Sequence, residues 1–208
     1  ALAERFEIVT RHGGTEARAV YSKGELVEVW TTAPTTLPTG TTVRVHPDRT
    51  IFAEPIDRAR LEERLDVLAY LLPGLALGRP HDGEGLAALV AKRARFAAGE
   101  VVHVRTSVTP IGWRSREPLE IEIALAWHEG ASIMESFANH RRTHGGRHLD
   151  GLLDGVRAAR GESALDGLVA AVHVVLAEPA FDGIVTYRLT TEGVRAAVAE
   201  ATRRALTR

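Results

Sequence analysis

Cationic side chains are concentrated in one short segment of the chain, residues 141–148 (RRTHGGRH). Its charged and titratable residues are Arg141, Arg142, His144, Arg147 and His148, arranged around the glycine pair Gly145 and Gly146. A helical apolar repeat begins directly behind it, at Leu149 and Leu152. The N-terminus of a helix carries partial positive charge and free N–H donors, so cations placed there add to an anion-binding end. The segment therefore predicts contacts with phosphate, and an arginine-rich turn exposed to water remains the alternative.

Three histidines, His140, His144 and His148, recur at intervals of four residues, which would place metal-binding imidazoles on one helix face. The glycine pair between the second and third would break such a helix, so the spacing does not predict a metal site. The chain has no cysteine, no Walker loop and no GxSxG element, and no pair of carboxylates can be nominated for acid–base catalysis. His128 and His173 fall within strand patterns, which indicates structural roles.

The composition fits a globular chain of 208 residues, of which 45% are hydrophobic. The formal charge of −1 provides no overall field toward nucleic acid or membrane, so any anion binding must be local. No apolar run reaches the roughly 18 residues that span a bilayer, and no signal peptide precedes Ala1. We therefore expect a cytoplasmic protein without membrane contact, and the missing initiator methionine suggests a fragment or a processed chain.

The order of apolar patterns predicts an α+β or mixed α/β chain. Alternation over residues 1–50 predicts an antiparallel meander, with the Thr- and Pro-rich stretch 23–38 as an exposed loop. Asp57 is the predicted N-cap of a helix over 58–72, and a second helix is predicted over 85–96. The apolar stripe of the first helix is predicted at Leu61, Leu65, Leu68 and Leu72.

The second part of the chain alternates strand and helix patterns. Residues 101–108 and 119–127 predict half-buried strands, and 133–139 predicts a strand that enters the basic turn. The nearly continuous apolar run 168–176 predicts a central strand, and 191–206 predicts an amphipathic helix.

The basic segment and its surroundings, SFANHRRTHGGRHLDGL at 136–152, resemble a known motif. In the B subunit of DNA gyrase and its topoisomerase IV counterpart the corresponding segment has the pattern S-F-x-N-x-I-x-T-x-E/D-G-G-T-H-x-x-G-F. The matching residues are Ser136, Phe137, Asn139, Gly145, Gly146, His148 and Gly151. The turn is one residue shorter here, His144 stands where the family has an acid, and Arg147 and Leu152 replace threonine and phenylalanine.

The resemblance extends in order over nearly the whole chain. TGTTVRVHPDRTIF at 39–52 is similar to T-G-T-x-V-x-F-x-P-D-x-x-x-F, and LEIEIALAWHEG at 119–130 to V-x-V-E-V-A-L-Q-W-N-D-G. EPAFDG at 178–183 is similar to D-P-x-F-E-G. This implies that residues 1–54 are the C-terminal strands of a gyrase-B-type ATPase domain. Residues 55–208 would then be a transducer domain with a mixed sheet and a left-handed βαβ crossover.

The resemblance also implies roles for single residues. Ile184-Val185-Thr186 stands where the family has Q-T-K, whose lysine contacts the terminal phosphate of ATP, and Thr186 lacks that charge. Arg188 would lie on the same strand face and is a candidate substitute. Thr41 matches the threonine that supports adenine recognition through water. The preference of β-branched residues for strands explains a threonine at this position equally well. In the family, paired transducers line a basic cavity that holds the transported duplex, and the resemblance implies that Arg141, Arg142 and Arg147 are the residues here nearest to that role.

The family's activity is ATP-dependent type II DNA topoisomerase action, with ATP and magnesium as cofactors. The resemblance implies a transducer that couples nucleotide state to DNA handling, with double-stranded DNA, a second copy of the chain and a gyrase A-like subunit as partners. Neither ATP nor magnesium is expected to bind this chain alone, because the sequence begins after the family's magnesium-binding asparagine and glycine-rich lid. The alternative is a paralogue without ATP turnover that acts as an interaction or regulatory module, as the missing lysine indicates.

Overall fold

The computed structural model describes residues 2–78, 85–95, 101–113, 115–183 and 187–207. The chain divides into two compact units, 1–58 and 59–208. No helix among the described residues is both long and apolar enough to cross a membrane.

The first unit is a four-stranded antiparallel sheet with the order β3-β2-β1-β4. Its strands are β1 (Ala3–His12), β2 (Thr15–Ser22), β3 (Glu25–Pro34) and β4 (Gly40–Pro47). The predicted strands are present, but β4 returns to pair with β1, so the sheet is not a simple meander. The predicted exposed loop over 23–38 is wrong for most of its length, because β3 pairs with β2 from Glu25 to Pro34. Alternating and β-branched residues in ELVEVWTT favour this edge strand, and the proline stands only at its end.

The second unit is built on a five-stranded mixed sheet with the order β5-β6-β9-β7-β8. Its strands are β5 (Val102–Val108), β6 (Leu119–Trp127), β7 (Ile133–Ala138), β8 (Arg141–Thr143) and β9 (Leu168–Val175). Only β7 and β9 are parallel, and β8 and the helix α3 (Arg147–Arg160) connect them. The apolar run 168–176 is thus the predicted central strand, and the α+β class with a mixed sheet is confirmed.

Helices cover both faces of this sheet. The helices α1 (Arg58–Leu71) and α2 (Gly85–Ala94) pack on one face, where the buried residues include Phe137 and Ala171. The helices α3 and α4 (Val194–Leu206) pack on the other face over Ile123 and Val172. A short 3₁₀ helix follows α3 at Glu162–Leu165, and a two-stranded hairpin, β10 (Phe181–Asp182) and β11 (Arg188–Leu189), precedes α4.

The buried face of α1 differs from the predicted leucine stripe. Leu61 is 48% exposed, whereas Val67, Tyr70 and Leu71 are buried against the sheet. Both stripes are apolar with helical spacing, so the sequence alone could not decide which one packs. The second helix buries its predicted face, with Leu86, Leu89 and Val90 inside.

The helices α3 and α4 approach each other closely because α3 presents two glycines to α4. A Cβ atom at Gly151 would lie 2.4 Å from the backbone oxygen of Arg195. One at Gly155 would lie 2.5 Å from the backbone oxygen of Ala199. Only residues without a side chain allow this separation, and it fixes α3 against the last helix of the chain.

Candidate nucleic-acid interface

The segment predicted as one basic turn, residues 141–148, comprises two separate structures. The first is the β7–β8 hairpin, and the second is the start of α3. Asn139 and His140 form a tight turn between β7 and β8, both with positive φ (46° and 62°), as two-residue hairpin loops of type I′ require. The Asn139 side chain holds the turn in place: its Nδ2 donates to the Leu176 carbonyl at 2.8 Å, and its Oδ1 accepts from the Leu176 N–H at 2.9 Å. Asparagine tolerates the left-handed conformation better than most residues, which explains its place here.

Arg141 and Arg142 therefore lie on the short strand β8 rather than in the turn. Both are exposed. Nη2 of Arg142 lies 2.9 Å from Oε2 of Glu135, in an ion pair whose alignment does not meet hydrogen-bond geometry. Its guanidinium also lies over the Phe137 ring, 5.3 Å from the centroid. Among the described residues, Arg141 has no ion-pair partner, so its charge is available to a phosphate.

Glu135 is buried, with only 7% of its surface exposed. Its carboxylate contacts Arg142 and Arg93, which form a cationic cluster around it. Its Oε1 accepts a hydrogen bond from Nε of Arg93 on α2 at 2.6 Å. Two arginines thus share one carboxylate, and the cluster keeps a net positive charge.

Arg64 of α1 lies beside this cluster, and the sequence analysis did not identify it as a site residue. Nη2 of Arg64 donates to the His140 carbonyl at 2.8 Å, which ties α1 to the β7–β8 turn. Burial lowers the pKa of Arg64, and the nearby charges of Arg141 and Arg142 lower it further. Arg64 therefore adds a third positive charge near the β8 arginines. The contact spans 76 residues, so no local pattern could reveal it.

Arg147, by contrast, is the first residue of α3 and belongs to the second structure. Its Nε donates to the Thr190 carbonyl at 3.1 Å, and the residue is exposed. The preceding glycines contact the β10–β11 hairpin directly: the Leu189 N–H donates to the Gly145 carbonyl at 3.3 Å. Gly146 forms a bridge with Leu189.

His144 strengthens the contact with the hairpin. Its backbone N–H donates to the Tyr187 carbonyl at 2.7 Å, and the two rings stack with centroids 4.6 Å apart. Nη2 of Arg188 lies 3.9 Å from Oδ2 of Asp150 in the first turn of α3. Residues 184–186, the predicted position of the missing lysine, lie outside the described residues.

His148 is fully buried beneath the start of α3. Its Nε2 lies 3.0 Å from Oγ1 of Thr143, which lies 2.7 Å from Oγ of Ser136 on β7. Burial lowers the pKa of His148 to about 4, so the imidazole is neutral at pH 7. This polar chain connects the motif's serine, on β7, to its histidine, on α3.

The three histidines at four-residue spacing do not form a metal site. His140 contacts the His173 ring at 4.8 Å, His144 stacks on Tyr187, and His148 is bonded to Thr143. Within the described ranges, no group of three histidine or acidic side chains could hold a metal ion. In the first unit, Thr41 is exposed on β4, with its Oγ1 3.4 Å from Oγ1 of Thr10.

The fold matches solved structures of type II topoisomerase subunits. The 43K ATPase domain of Thermus thermophilus gyrase B, solved in complex with an aminocoumarin, is 23% identical with a TM-score of 0.80, over 99% of this chain and 63% of that one. The B subunit of Myxococcus xanthus DNA gyrase is 26% identical with a TM-score of 0.78, over 99% and 67%. The ATP-binding domain of Francisella tularensis topoisomerase IV is 20% identical with a TM-score of 0.76, over 100% and 64%.

The chain thus spans slightly less than two thirds of the length of the Thermus and Francisella structures. No family model matches it, and no curated protein matches it in sequence. The fold is that of the ATPase region of type II topoisomerases. More narrowly, it is a diverged gyrase-B-type fold, as the sequence motifs predicted.

Proposed function

We propose that this chain is a transducer-type domain of a gyrase-B-like protein that couples nucleotide state to DNA handling in ATP-dependent type II topoisomerase action. The contact between the β10–β11 hairpin and the glycine pair at the start of α3 carries this proposal. The hairpin flanks residues 184–186, where the resemblance implies the loop that contacts the terminal phosphate of ATP. A double-stranded DNA segment, a second copy of the chain and a gyrase A-like subunit are the proposed partners.

The bonds around the hairpin provide a physical route for the coupling. A displacement of β11 would pull on the His144 and Gly145 backbone through their bonds to Tyr187 and Leu189. Arg147 would move with it because its guanidinium is bonded to the Thr190 carbonyl. The β8 arginines directly precede this segment in the chain, so the same movement would reposition the cations proposed to contact DNA.

We expect weak, sequence-independent binding of duplex DNA through Arg141, Arg142 and Arg147, supported by Arg64. Replacing Arg141 with alanine should lower the slope of log K against log salt by about one unit, because one phosphate contact is lost. The Arg142→Ala change should have a smaller effect, because Glu135 already neutralises part of that charge. Fluorescence anisotropy with a labelled duplex over a low-salt series measures both slopes.

The matched control for this experiment is Arg160→Ala. Arg160 is exposed at the last residue of α3, about 20 Å along the helix from Arg147, so its removal should leave the slope unchanged. If the triple variant of Arg141, Arg142 and Arg147 keeps the wild-type affinity and slope, β8 and the start of α3 form only a solvated surface.

The second candidate function is a paralogue without ATP turnover that acts as an interaction or regulatory module. The sequence Ile184-Val185-Thr186 favours it, because a threonine hydroxyl cannot neutralise a terminal phosphate as an ammonium does. Arg188 is the proposed substitute cation, and Thr41 the proposed support for adenine recognition. The Arg188 guanidinium lies near Asp150, which compensates part of its charge.

ATP turnover separates the two candidates. A protein that joins this chain to a gyrase-type nucleotide site should hydrolyse ATP slowly, since phosphoryl transfer depends on positioned positive charge. The combined changes Ile184→Gln, Val185→Thr and Thr186→Lys should raise steady-state turnover about a hundredfold. Turnover of the unmodified protein that matches the triple variant would contradict this assignment of residues 184–186, and Arg188→Ala would then show whether Arg188 supplies the charge.

A further inference from the structure

The backbone carbonyl that leads into β8 is held by a side chain from α1. Nη2 of Arg64 donates to the His140 carbonyl at 2.8 Å. A hydrogen bond from a charged donor is roughly twice as strong as one between neutral groups. This carbonyl belongs to the same planar peptide unit as the nitrogen and Cα of Arg141. A bond that fixes the carbonyl therefore also fixes the point from which the Arg141 side chain leaves the backbone.

The peptide units before it in the β7–β8 turn have partners of their own. The Asn139 N–H donates to the Val174 carbonyl at 2.9 Å. The His140 N–H donates to Nε2 of His173 at 3.2 Å. The His140 carbonyl comes after these groups in the chain and lies outside the β7–β8 pairing. Arg64 thus holds the last peptide unit of the turn, the one that joins it to β8.

The turn depends on such contacts because its backbone is left-handed. Asn139 and His140 have φ of 46° and 62°, a region that residues with a side chain keep only where the surroundings hold them. The strand that follows, β8, is three residues long, so few bonds of its own keep it in place. Without the Arg64 bond, we expect the His140 carbonyl to turn away and Arg141 to lose its fixed direction.

Arg64 and Arg141 differ in how far they reach into solvent. Arg64 is half-buried, and burial is the main cause of its lowered pKa, whereas Arg141 is exposed. Nη2 of Arg64 is already bonded to the His140 carbonyl. Arg64 is therefore placed to hold the turn, and Arg141 to meet a phosphate.

We propose that Arg64 is a positioning residue for duplex binding, which acts through the His140 carbonyl to hold Arg141 where it contacts a phosphate. The inference rests on the proposed function, in which Arg141 contacts DNA. The alternative is that Arg64 contacts a phosphate itself. The two roles differ in additivity: independent contacts add, whereas a residue that acts through another has no effect once that other residue is removed.

The test is a double-mutant cycle on the full chain, with the slope of log K against log salt for a labelled duplex as the readout. Arg64→Met removes the donors and the charge but keeps an apolar stem. It should lower the slope by about one unit, as Arg141→Ala does, because the same phosphate contact is lost. The double variant should also lower the slope by about one unit. A decrease of about two units would identify Arg64 as an independent phosphate contact and overturn the proposal, as would an unchanged slope in Arg64→Met alone.

Hydrogen exchange of the free chain reports on the turn without DNA. The amides of residues 140–142 should exchange faster in Arg64→Met than in the unmodified chain. The matched control is Arg58→Ala, which removes an exposed charge from the same helix, about 9 Å along its axis from Arg64. This control should change neither the exchange nor the slope. Unchanged exchange in Arg64→Met, or an equal loss of slope in Arg58→Ala, contradicts a positioning role.

Failure of the proposed function would give a different result. The triple variant of the proposed contact arginines would then keep the affinity of the unmodified chain, and both conclusions would be overturned together, because no duplex contact would remain for Arg64 to position. A triple variant that loses binding, combined with additive slopes in the double-mutant cycle, would overturn the role of Arg64 alone.

Discussion

The change Gly146→Ala should lower the unfolding free energy of the second unit by about 2–6 kcal/mol, the sum of backbone strain and overpacking. Gly146 has φ 120° and ψ −171°, a region of backbone space that only glycine adopts readily. In addition, an alanine Cβ would lie 2.3 Å from the Leu189 nitrogen and 2.5 Å from its oxygen. Both atoms belong to the backbone of β11, so no side-chain rotation relieves the overlap. Either the unit loses stability or the hairpin separates from α3.

Gly161 is the matched control for this change. It lies at the other end of α3 with φ 86° and ψ 175°, in the same glycine-only region, but an added Cβ would meet nothing within 4 Å. Gly161→Ala should therefore show the strain alone, about 1–3 kcal/mol. The difference between the two variants measures the hairpin contact.

Urea unfolding followed by tryptophan fluorescence measures these free energies. In a Trp30→Phe background the remaining tryptophans, Trp113 and Trp127, report only on the second unit. Hydrogen exchange of the Leu189 amide reports on the hairpin itself. If both glycine variants lose the same free energy and the Leu189 amide stays protected, the hairpin does not depend on Gly146.

The sequence predicted the longer helices and strands of the second unit because their patterns are local, but not the short strands β8, β10 and β11. A continuous apolar run marks the central strand β9, and a glycine pair before a helical repeat marks the start of α3. The error in α1 has a physical cause: its leucine stripe and its true buried stripe are both apolar, and only the packing partner decides between them. The strand β3 was missed because the flanking residues Gly24, Pro34 and Pro38 are typical of turns and loops, although the alternating and β-branched residues of the strand itself favour pairing with β2.

Side-chain partners across the sheet could not be predicted in the same way. The cluster around Glu135 joins residues of β7, β8 and α2, and Arg64 reaches it from α1. None of these contacts leaves a periodic trace in the sequence. The motif located the segment, but the division between the β8 arginines and Arg147 follows from the left-handed Asn139–His140 turn, which the sequence marks only through its asparagine.

The stability of the second unit should fall steeply as the pH is lowered from about 6.5 to about 4, because two buried histidines resist protonation. Burial lowers the pKa of His148 to about 4. It also lowers the pKa of His173 to about 4, with repulsion from His140 acting in the same direction. His173 is held neutral by its position, since its Nε2 accepts the His140 N–H at 3.2 Å.

Stability falls on acidification because both histidine pKa values are lowered in the folded state. Since the folded pKa lies below the ordinary value of 6.5, the unfolded chain binds protons first. The stabilisation is therefore complete above the unfolded pKa and is lost as the pH falls toward the folded one. Each histidine should account for about 3 kcal/mol over the whole interval, at 1.36 kcal/mol per pKa unit.

Glutamine variants separate this effect from the packing of the rings. His148→Gln keeps a polar group within reach of Thr143, and His173→Gln keeps an acceptor for the His140 N–H, but neither titrates. Urea unfolding in the Trp30→Phe background at pH 8 gives the cost of each substitution without the charge effect. On acidification, each single variant should lose about 3 kcal/mol less than the parent, and the double variant about 6 kcal/mol less. A parent whose unfolding free energy stays constant from pH 6.5 to 4, or a double variant as acid-sensitive as the parent, would show that these imidazoles accept protons without opening the fold.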